Sequence, residues 1–476
     1  MHKDKNISSL MLAAPASGSG KTLLTCGILQ VLLNRKLNIV SFKCGPDYID
    51  PMFHEKVLGT KSRNLDLFLS GEETVKYLFS KHAKEADFAL LEGVMGYYDG
   101  VGNSTWGSAY ELAEAVGAPV VLVVNARGMS LSVAALIKGF LEFRHNSHIK
   151  GVILNQLSPM LYGSMKENIE RETGVRVYGY LPVMKACEIE SRHLGLLLPE
   201  EINDFKSRIN NIAQVMEETL DIEGLLCLAQ EEEGLPEGRK ETVGGREMLL
   251  PEAISGLYNC FAGEHLSIAY TRDEAFCFCY EDNLELLCDL GVTLYPFSPL
   301  YDEHLPKQIH GLLLFGGYPE LYGKKLSQNI TIKNEIRDKI LSGLPTMAEC
   351  GGFLYLLESL QEKDSGKEYS MAGVFPGSGY DGGKLVRFGY VELKGGKAFG
   401  RDVGRIRAHE FHHYDTKNPG SSFLAEKPLS HRSWQCIHSS DTIFAGFPHQ
   451  YFYGNLKLPE AFLSACREFQ RKARER

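Results

Sequence analysis

Through residues 1–225 short apolar runs alternate with stretches of helical period, and that alternation restricts the chain to few folds. Ser9–Ala14, Leu37–Phe42, Phe88–Leu91, Val120–Val124 and Gly151–Leu154 each suit a buried strand, and amphipathic stretches separate them. Strand, helix and strand repeated in this way build a mostly parallel sheet with helices on its faces. A second alternating region begins near Leu266 and runs to the end, with less regular strands after residue 365. Between them Glu231–Arg246 is polar, glycine-rich and without period, which is the composition of a flexible connection. At 476 residues the chain exceeds one ordinary core. The reading is an α/β chain of two domains, 1–228 and 263–476, joined by a linker over 229–262.

Composition excludes several classes. A net charge of −9, with no long basic run, argues against a general nucleic-acid surface. No apolar stretch reaches the length of a membrane span, and the N-terminus, Met-His-Lys-Asp-Lys-Asn, enters a strand-like run without a signal-peptide core. The eleven cysteines are scattered and contain no Cys-x-x-Cys pair. They read as reduced thiols of a cytoplasmic protein.

Ser17-Gly18-Ser19-Gly20-Lys21-Thr22 stands between a strand and the helical run Leu23–Leu33. The full phosphate-loop pattern would begin with glycine at position 15, where this chain has Pro15. The chemistry survives the change. Small residues let backbone N–H groups approach phosphates, the helix N-terminus adds partial positive charge, and Lys21 and Thr22 can reach phosphate and Mg²⁺. A dimerising ATPase switch of the partition type would carry a lysine five residues before Lys21; that residue is Ala16.

A metal-bound triphosphate needs hard oxygen ligands. Asp47 and Asp50 lie in Lys43-Cys-Gly-Pro-Asp-Tyr-Ile-Asp-Pro51, and Glu92 ends the run from Asp87, with Asp99 seven residues on. Strand C-termini line the ligand crevice of an open α/β sheet, so these carboxylates are expected to converge on the loop. Asn155, ending the run Gly151–Leu154, reads equally as a contact to an adenine edge or as a strand-end cap.

Far along the chain, Leu344–Leu357 places Cys350 between a short apolar run and a helix-like run. Strand, cysteine, two glycines and helix make a nucleophile elbow. Gly351 and Gly352 relieve crowding in the turn, and the helix N-terminus is expected to favour the thiolate. Oxyanion donors could come from the N–H of Gly351 and from the turn Phe315–Glu320. For a base the chain offers His409, His412, His413 and His449.

With these motifs in view, the chain resembles the cobyrinate a,c-diamide synthases. These are corrinoid-pathway amidotransferases with an N-terminal P-loop, dethiobiotin-synthetase-like ATPase domain and a C-terminal class I glutaminase-like domain. The resemblance spans nearly the whole chain. It rests on Ala13–Thr22, Lys43–Pro51, Glu92–Gly100, Asp273-Glu-Ala-Phe-Cys-Phe, Phe297-Ser-Pro-Leu300, Gly316-Gly-Tyr-Pro-Glu320 and Glu349-Cys-Gly-Gly352. It implies Cys350 as nucleophile with His449 as its base. It implies Thr22, Asp47 and Glu92 around Mg²⁺, with Asp50 and Asp99 near the reacting carboxylate. ATP, glutamine and a corrinoid polycarboxylate are the implied small-molecule substrates, no nucleic acid or membrane partner is implied, and a homodimer is left open.

Ordinary class I glutaminases carry a glutamate two residues after the histidine, and here that residue is Tyr451. The resemblance therefore implies a Cys-His dyad with the orientation of the imidazole unassigned. Within a net-acidic chain, recognition of a polycarboxylate is expected from Lys43, Arg63, Arg127 and Arg192. Three alternatives stand beside this reading: the same reaction on hydrogenobyrinate or nickel-sirohydrochlorin, the cobyric acid synthase reaction, and a nucleotide-dependent regulatory binder with an inert glutaminase-like domain.

Overall fold

The computed structural model describes residues 7–184, 191–192, 195–196, 205–230, 240–243, 246–249, 252–261, 263–363 and 365–475. Much of the expected linker, including 231–239, lies outside the described residues. The chain divides into two compact units, Met1–Lys240 and Glu241–Arg476.

In the first unit, seven strands form one sheet: β1 (Ser9–Ala13), β2 (Ile39–Cys44), β3 (Lys61–Leu65), β4 (Phe88–Glu92), β5 (Val120–Asn125), β6 (Ile149–Asn155) and β7 (Arg176–Leu181). Their order is β3-β2-β4-β1-β5-β6-β7, and every pairing is parallel. β1, β2 and β4 are buried along their whole length, which is why their sequences are nearly unbroken apolar runs. From β1 the chain moves to β2 and β3 on one side, returns through β4, and continues to β5–β7 on the other. The reversal puts the C-terminal ends of β1 and β4 side by side, with Leu12 opposite Glu92. That is where open parallel sheets bind ligands. The helix Lys21–Asn34 leaves β1 at this point and packs closely on the helix Phe205–Thr219. A Cβ at Gly27 would lie 2.4 Å from Met216 Sδ.

The second unit has a six-stranded sheet in the order Thr293–Phe297, Ser267–Thr271, Gly311–Leu314, Thr346–Glu349, Ile443–Gly446 and His438–Ser439. The first five strands are parallel and the last is antiparallel. Leu312, Leu314, Ala348, Phe353, Ile336 and Phe447 belong to its core. Beyond residue 365 much of the chain forms antiparallel pairs. Ser433–Cys436, Phe423–Glu426, Arg387–Lys394, Ile406–His412 and His449–Gln450 form a second sheet in that order. Arg387–Lys394 and Phe423–Glu426 keep one face more exposed than the other, so no continuous apolar run announces them.

Candidate active sites

Each unit carries one constellation at the C-terminal ends of its parallel strands. In the first, Gly18 and Gly20 take positive φ of 76° and 89°, and the loop turns directly into the helix at Lys21. Gly20 is further required because a Cβ there would lie 2.2 Å from Asn155 Nδ2. Asn155 Nδ2 donates to Ser19 O at 2.8 Å, and its Oδ1 accepts from Gln156 N. Of the two readings of Asn155, this geometry uses the amide to brace the loop, since backbone groups engage both of its polar atoms. Ser19 Oγ donates to Ala16 O at 2.8 Å, while Ser17 and Gly18 are exposed at the loop tip.

Thr22 Oγ1 donates to Glu92 Oε1 at 2.7 Å and lies 3.3 Å from Asp50 Oδ2. Lys43 Nζ sits between the two carboxylates, paired with Asp50, 3.1 Å from Glu92 Oε1 and 3.9 Å from Asp47 Oδ2. The structure thus gathers Thr22, Asp50 and Glu92 most tightly. Asp47 is more peripheral, its Oδ1 accepting from the backbone N–H of Ile49 and Asp50. Asp99 Oδ2 accepts from Gly96 N at 3.0 Å. Lys43 was expected among the cations that recognise substrate. It is instead 3% exposed and held by carboxylates. Of the other expected cations Arg63 is buried and Arg127 exposed, and the side chain of Arg192 lies outside the described residues. His54, which the sequence did not single out, places Nε2 3.4 Å from Glu92 Oε2.

Burial works against every charge here, and neighbours overrule it for Lys43 and Glu92 but not for Lys21 or Asp50. It lowers the Lys21 ammonium to about 8, helped by Lys43 and opposed by Glu92, Asp50 and Asp99. Lys21 Nζ donates to the carbonyls of Met95 at 2.6 Å and Ala16 at 3.4 Å. Burial alone would lower Lys43 too, but Asp50, Glu92 and Asp47 push it well up, so it is cationic. Burial would raise Glu92, yet Lys43, His54 and the Thr22 hydroxyl hold it well below the usual carboxylate range. Asp50 goes the other way, raised by burial and by Asp47 and Glu92 beyond what Lys43 offsets. Two ammoniums, Lys43 and the more weakly charged Lys21, thus face four carboxylates, Asp47, Asp50, Glu92 and Asp99. Thr22, Asp47, Asp50 and Glu92 supply hard oxygen donors, a set that fits a divalent cation such as Mg²⁺.

In the second unit Cys350 ends the strand Thr346–Glu349 at φ 46° and ψ −106°, a strained turn held from outside. Its N–H donates to Gly446 O at 2.8 Å. A Cβ at Gly352 would lie 2.1 Å from Leu314 O, so glycine alone fits where this turn meets the neighbouring strand. A Cβ at Gly351 would lie 2.9 Å from Gly317 N, and one at Gly316 would lie 2.5 Å from His449 Cε1. The cysteine turn, the Gly316–Gly317 turn and His449 therefore converge. Among the candidate bases His449 is the one brought there. His409 lies opposite it in the strand pair with ring centroids 6.3 Å apart, and burial holds His409 well below its ordinary value, hence neutral. His412 stacks on Phe447 at 4.0 Å, with Nδ1 2.6 Å from Tyr414 O.

The expected preference for the thiolate is corrected. Burial pushes the Cys350 thiol far up, the Glu320 carboxylate adds to it, and the Gly351 N–H offsets little. The helix behind the elbow, Gly351–Tyr355, is one short turn, and neighbouring Glu349 and Glu410 add negative charge. Cys350 is thus a resting thiol that needs a base. Glu349, quoted in the sequence only as part of a motif, places Oε2 3.6 Å from His449 Nδ1.

A phosphate loop on a parallel sheet and a cysteine elbow in a second α/β unit define the class. Residues 10–197 match the CobQ/CobB/MinD/ParA nucleotide binding domain, and residues 267–455 match the CobB/CobQ-like glutamine amidotransferase domain. The chain is a glutamine-hydrolysing carbon–nitrogen ligase. It is 38% identical over 467 residues to the cobyrinate a,c-diamide synthase of Caldanaerobacter subterraneus subsp. tengcongensis, covering 97% of this chain and 99% of that one. It is 36% identical over 457 residues to that of Clostridium acetobutylicum (94% and 98%) and 34% over 480 residues to that of Priestia megaterium (98% and 98%). The chain belongs to the cobyrinate a,c-diamide synthase family. Among the described residues no helix is long and apolar enough to cross a membrane.

Proposed function

We propose that this chain uses ATP and glutamine to amidate the a and c acetate carboxylates of cobyrinate. The observation that carries the reading is the pairing of Thr22, Asp50, Glu92 and Lys43 at a phosphate loop with a buried cysteine elbow on the same chain. A free carboxylate is a poor electrophile, so an acetate oxygen attacks the γ-phosphorus and ADP leaves. Ammonia then forms the C–N bond as the C–O bond to phosphate breaks. The loop N–H groups and Lys21 hold the phosphates. Mg²⁺, held by Thr22, Asp47 and Glu92, would neutralise triphosphate charge. We assign Asp50, beside Thr22 and Lys43, and Asp99, at the N–H of Gly96, to the acceptor side. At the other site Cys350 Sγ attacks the glutamine amide carbon as His449 takes the thiol proton and passes it to departing ammonia. Water then hydrolyses the thioester to glutamate. N–H groups at Gly351 and Gly317 face the developing oxyanion.

The test is mass spectrometry of a panel of tetrapyrrole acids incubated with enzyme, glutamine and ATP. Gain of two amides on cobyrinate, dependent on both co-substrates, is expected. Preference for hydrogenobyrinate, nickel-sirohydrochlorin or an already diamidated corrinoid overturns the substrate, and no amidation of any acid favours a regulatory binder.

Two further outcomes follow. Asp50→Asn and Asp99→Asn are expected to slow the second amidation more than the first, by about tenfold, or about 1.4 kcal/mol. The second carboxylate enters with the macrocycle turned, so the same acceptor-side charges meet it differently. Time courses should show the monoamide accumulating; unchanged diamide kinetics in both variants would remove these residues from the site.

Nucleotide affinity is expected to fall with alkaline pH. Free Lys21 loses its proton near pH 8. Bound phosphate favours the charged form, so above that pH binding must also take up a proton. Affinity then drops by about tenfold per pH unit between roughly 8 and 10. Titration calorimetry across that range should show the slope in wild type and a flat profile in Lys21→Arg.

A further inference from the structure

We propose that Glu349 is the positioning residue for His449. It supplies, from the position just before the nucleophile, the carboxylate that class I glutaminases take from the strand of the histidine. The inference rests on the assignment of Cys350 and His449 to glutamine hydrolysis.

The usual position is already committed. Tyr451, two residues after His449, donates its hydroxyl to Asp282 Oδ2 at 3.0 Å and packs its ring 5.0 Å from that of Tyr280. Glu349 reaches the imidazole from the other side of the turn. Both side chains are buried, Glu349 at 4% and His449 at 2% exposure, with 3.6 Å between Oε2 and Nδ1.

The carboxylate is fixed at its other oxygen, where Oε1 accepts the backbone N–H of Gln450 at 3.1 Å. It is therefore tied to the residue next to the base. The sheet sets this arrangement, since Glu349 pairs with Gly446 and the chain reaches His449 after only Phe447 and Pro448. Register and turn thus bring an acid and an imidazole together although they lie far apart in the chain.

The chemistry needs such a partner. A carboxylate at Nδ1 keeps the proton on that nitrogen and leaves the Nε2 lone pair to accept the thiol proton. The Cys350 thiol is protonated at rest, so the step creates an imidazolium in a buried site. Glu349 offsets that charge, and the 3.6 Å separation closes to a charge-assisted hydrogen bond when the imidazolium forms. A carboxylate buried at this depth without a cation to meet is costly. Burial accordingly pushes Glu349 up, and His449 and the Gln450 N–H pull it back.

The test compares Glu349→Gln, Glu349→Asp and Cys350→Ser, measuring glutamine hydrolysis, glutamine-driven amidation and ammonium-driven amidation in each. Glu349→Gln is nearly isosteric but can present its amide N–H to Nδ1, favouring the wrong tautomer. It is expected to lower kcat for glutamine by about 10²-fold or more with KM changed less than about threefold. The ratio of glutamine-driven to ammonium-driven amidation should fall with kcat. Glu349→Asp keeps the charge at greater distance and should lie between wild type and Glu349→Gln. If Glu349→Gln keeps kcat within about threefold, or if Asp is as damaging as Gln, the positioning role is overturned. Equal loss of both amidations would make Glu349 merely structural. Retention of glutamine use by Cys350→Ser would instead bring down the underlying assignment, whatever Glu349 does.

Discussion

Cys350→Ser is expected to abolish glutamine-driven amidation, by about 10⁴-fold or more, while high ammonium still supports the ligase reaction. Serine is close in size to cysteine, so it should keep the elbow at φ 46° and the packing of Gly352 against Leu314. What it loses is the nucleophile. A hydroxyl in a site that already pushes a thiol far up has no means of ionising, and a base matched to a thiol does not compensate. Ammonia supplied from solution bypasses this step. The measurement is amide product formed with glutamine and, separately, with ammonium chloride near pH 9, where more of it is free ammonia. Equal loss with both nitrogen sources would sink the two-site scheme for this residue. His449→Ala should follow the same pattern, less severely if water relays the proton.

The parts of this architecture that sequence revealed were those where local pattern and tertiary role coincide. β1, β2 and β4 are buried on both faces, so burial wrote itself into mostly apolar runs, interrupted in β2 by Ser41 and Lys43. The phosphate loop and the cysteine elbow were legible because each is a backbone requirement confined to a few consecutive residues. The convergence of Asp50 and Glu92 on Thr22 followed from strand ends meeting at the reversal of the sheet. The antiparallel region after residue 365 was obscure because strands such as Arg387–Lys394 and Phe423–Glu426 intersperse buried with part-exposed positions, so no apolar run marks them. Charge states were harder still. The helix behind Cys350 suggested a thiolate, but burial and the carboxylate of Glu320 outweigh it, and desolvation is a property of the packed fold. Lys43 was expected to recognise the substrate's carboxylates until the sheet placed it among Asp47, Asp50 and Glu92. The Glu349–His449 pair depends on strand register, which no local spacing encodes.

Removing Lys21 is expected to abolish ATP-driven amidation with either nitrogen source, by about 10³-fold, while glutamine hydrolysis persists at Cys350. Lys21 is 8% exposed, and burial together with the cation of Lys43 disfavours its charge. Lys21→Ala therefore removes an electrostatic liability from the free protein, and its melting temperature should not fall. Loss of activity then reports phosphate chemistry rather than unfolding. Glu92→Gln should cost comparable activity by a different route. Glu92 is fully buried, accepts the Thr22 hydroxyl and partners Lys43, so the amide leaves Asp50 and Asp47 as that ammonium's carboxylate partners. This variant should melt lower by several degrees, since a buried charge has lost part of its compensation. Thermal melts, nucleotide titrations and both amidation assays on the two proteins separate the effects. Normal amidation by either variant would remove the loop and its carboxylates as the ATP site. Glutamine hydrolysis lost as completely as amidation would show instead that the chemistry at Cys350 depends on an intact nucleotide site.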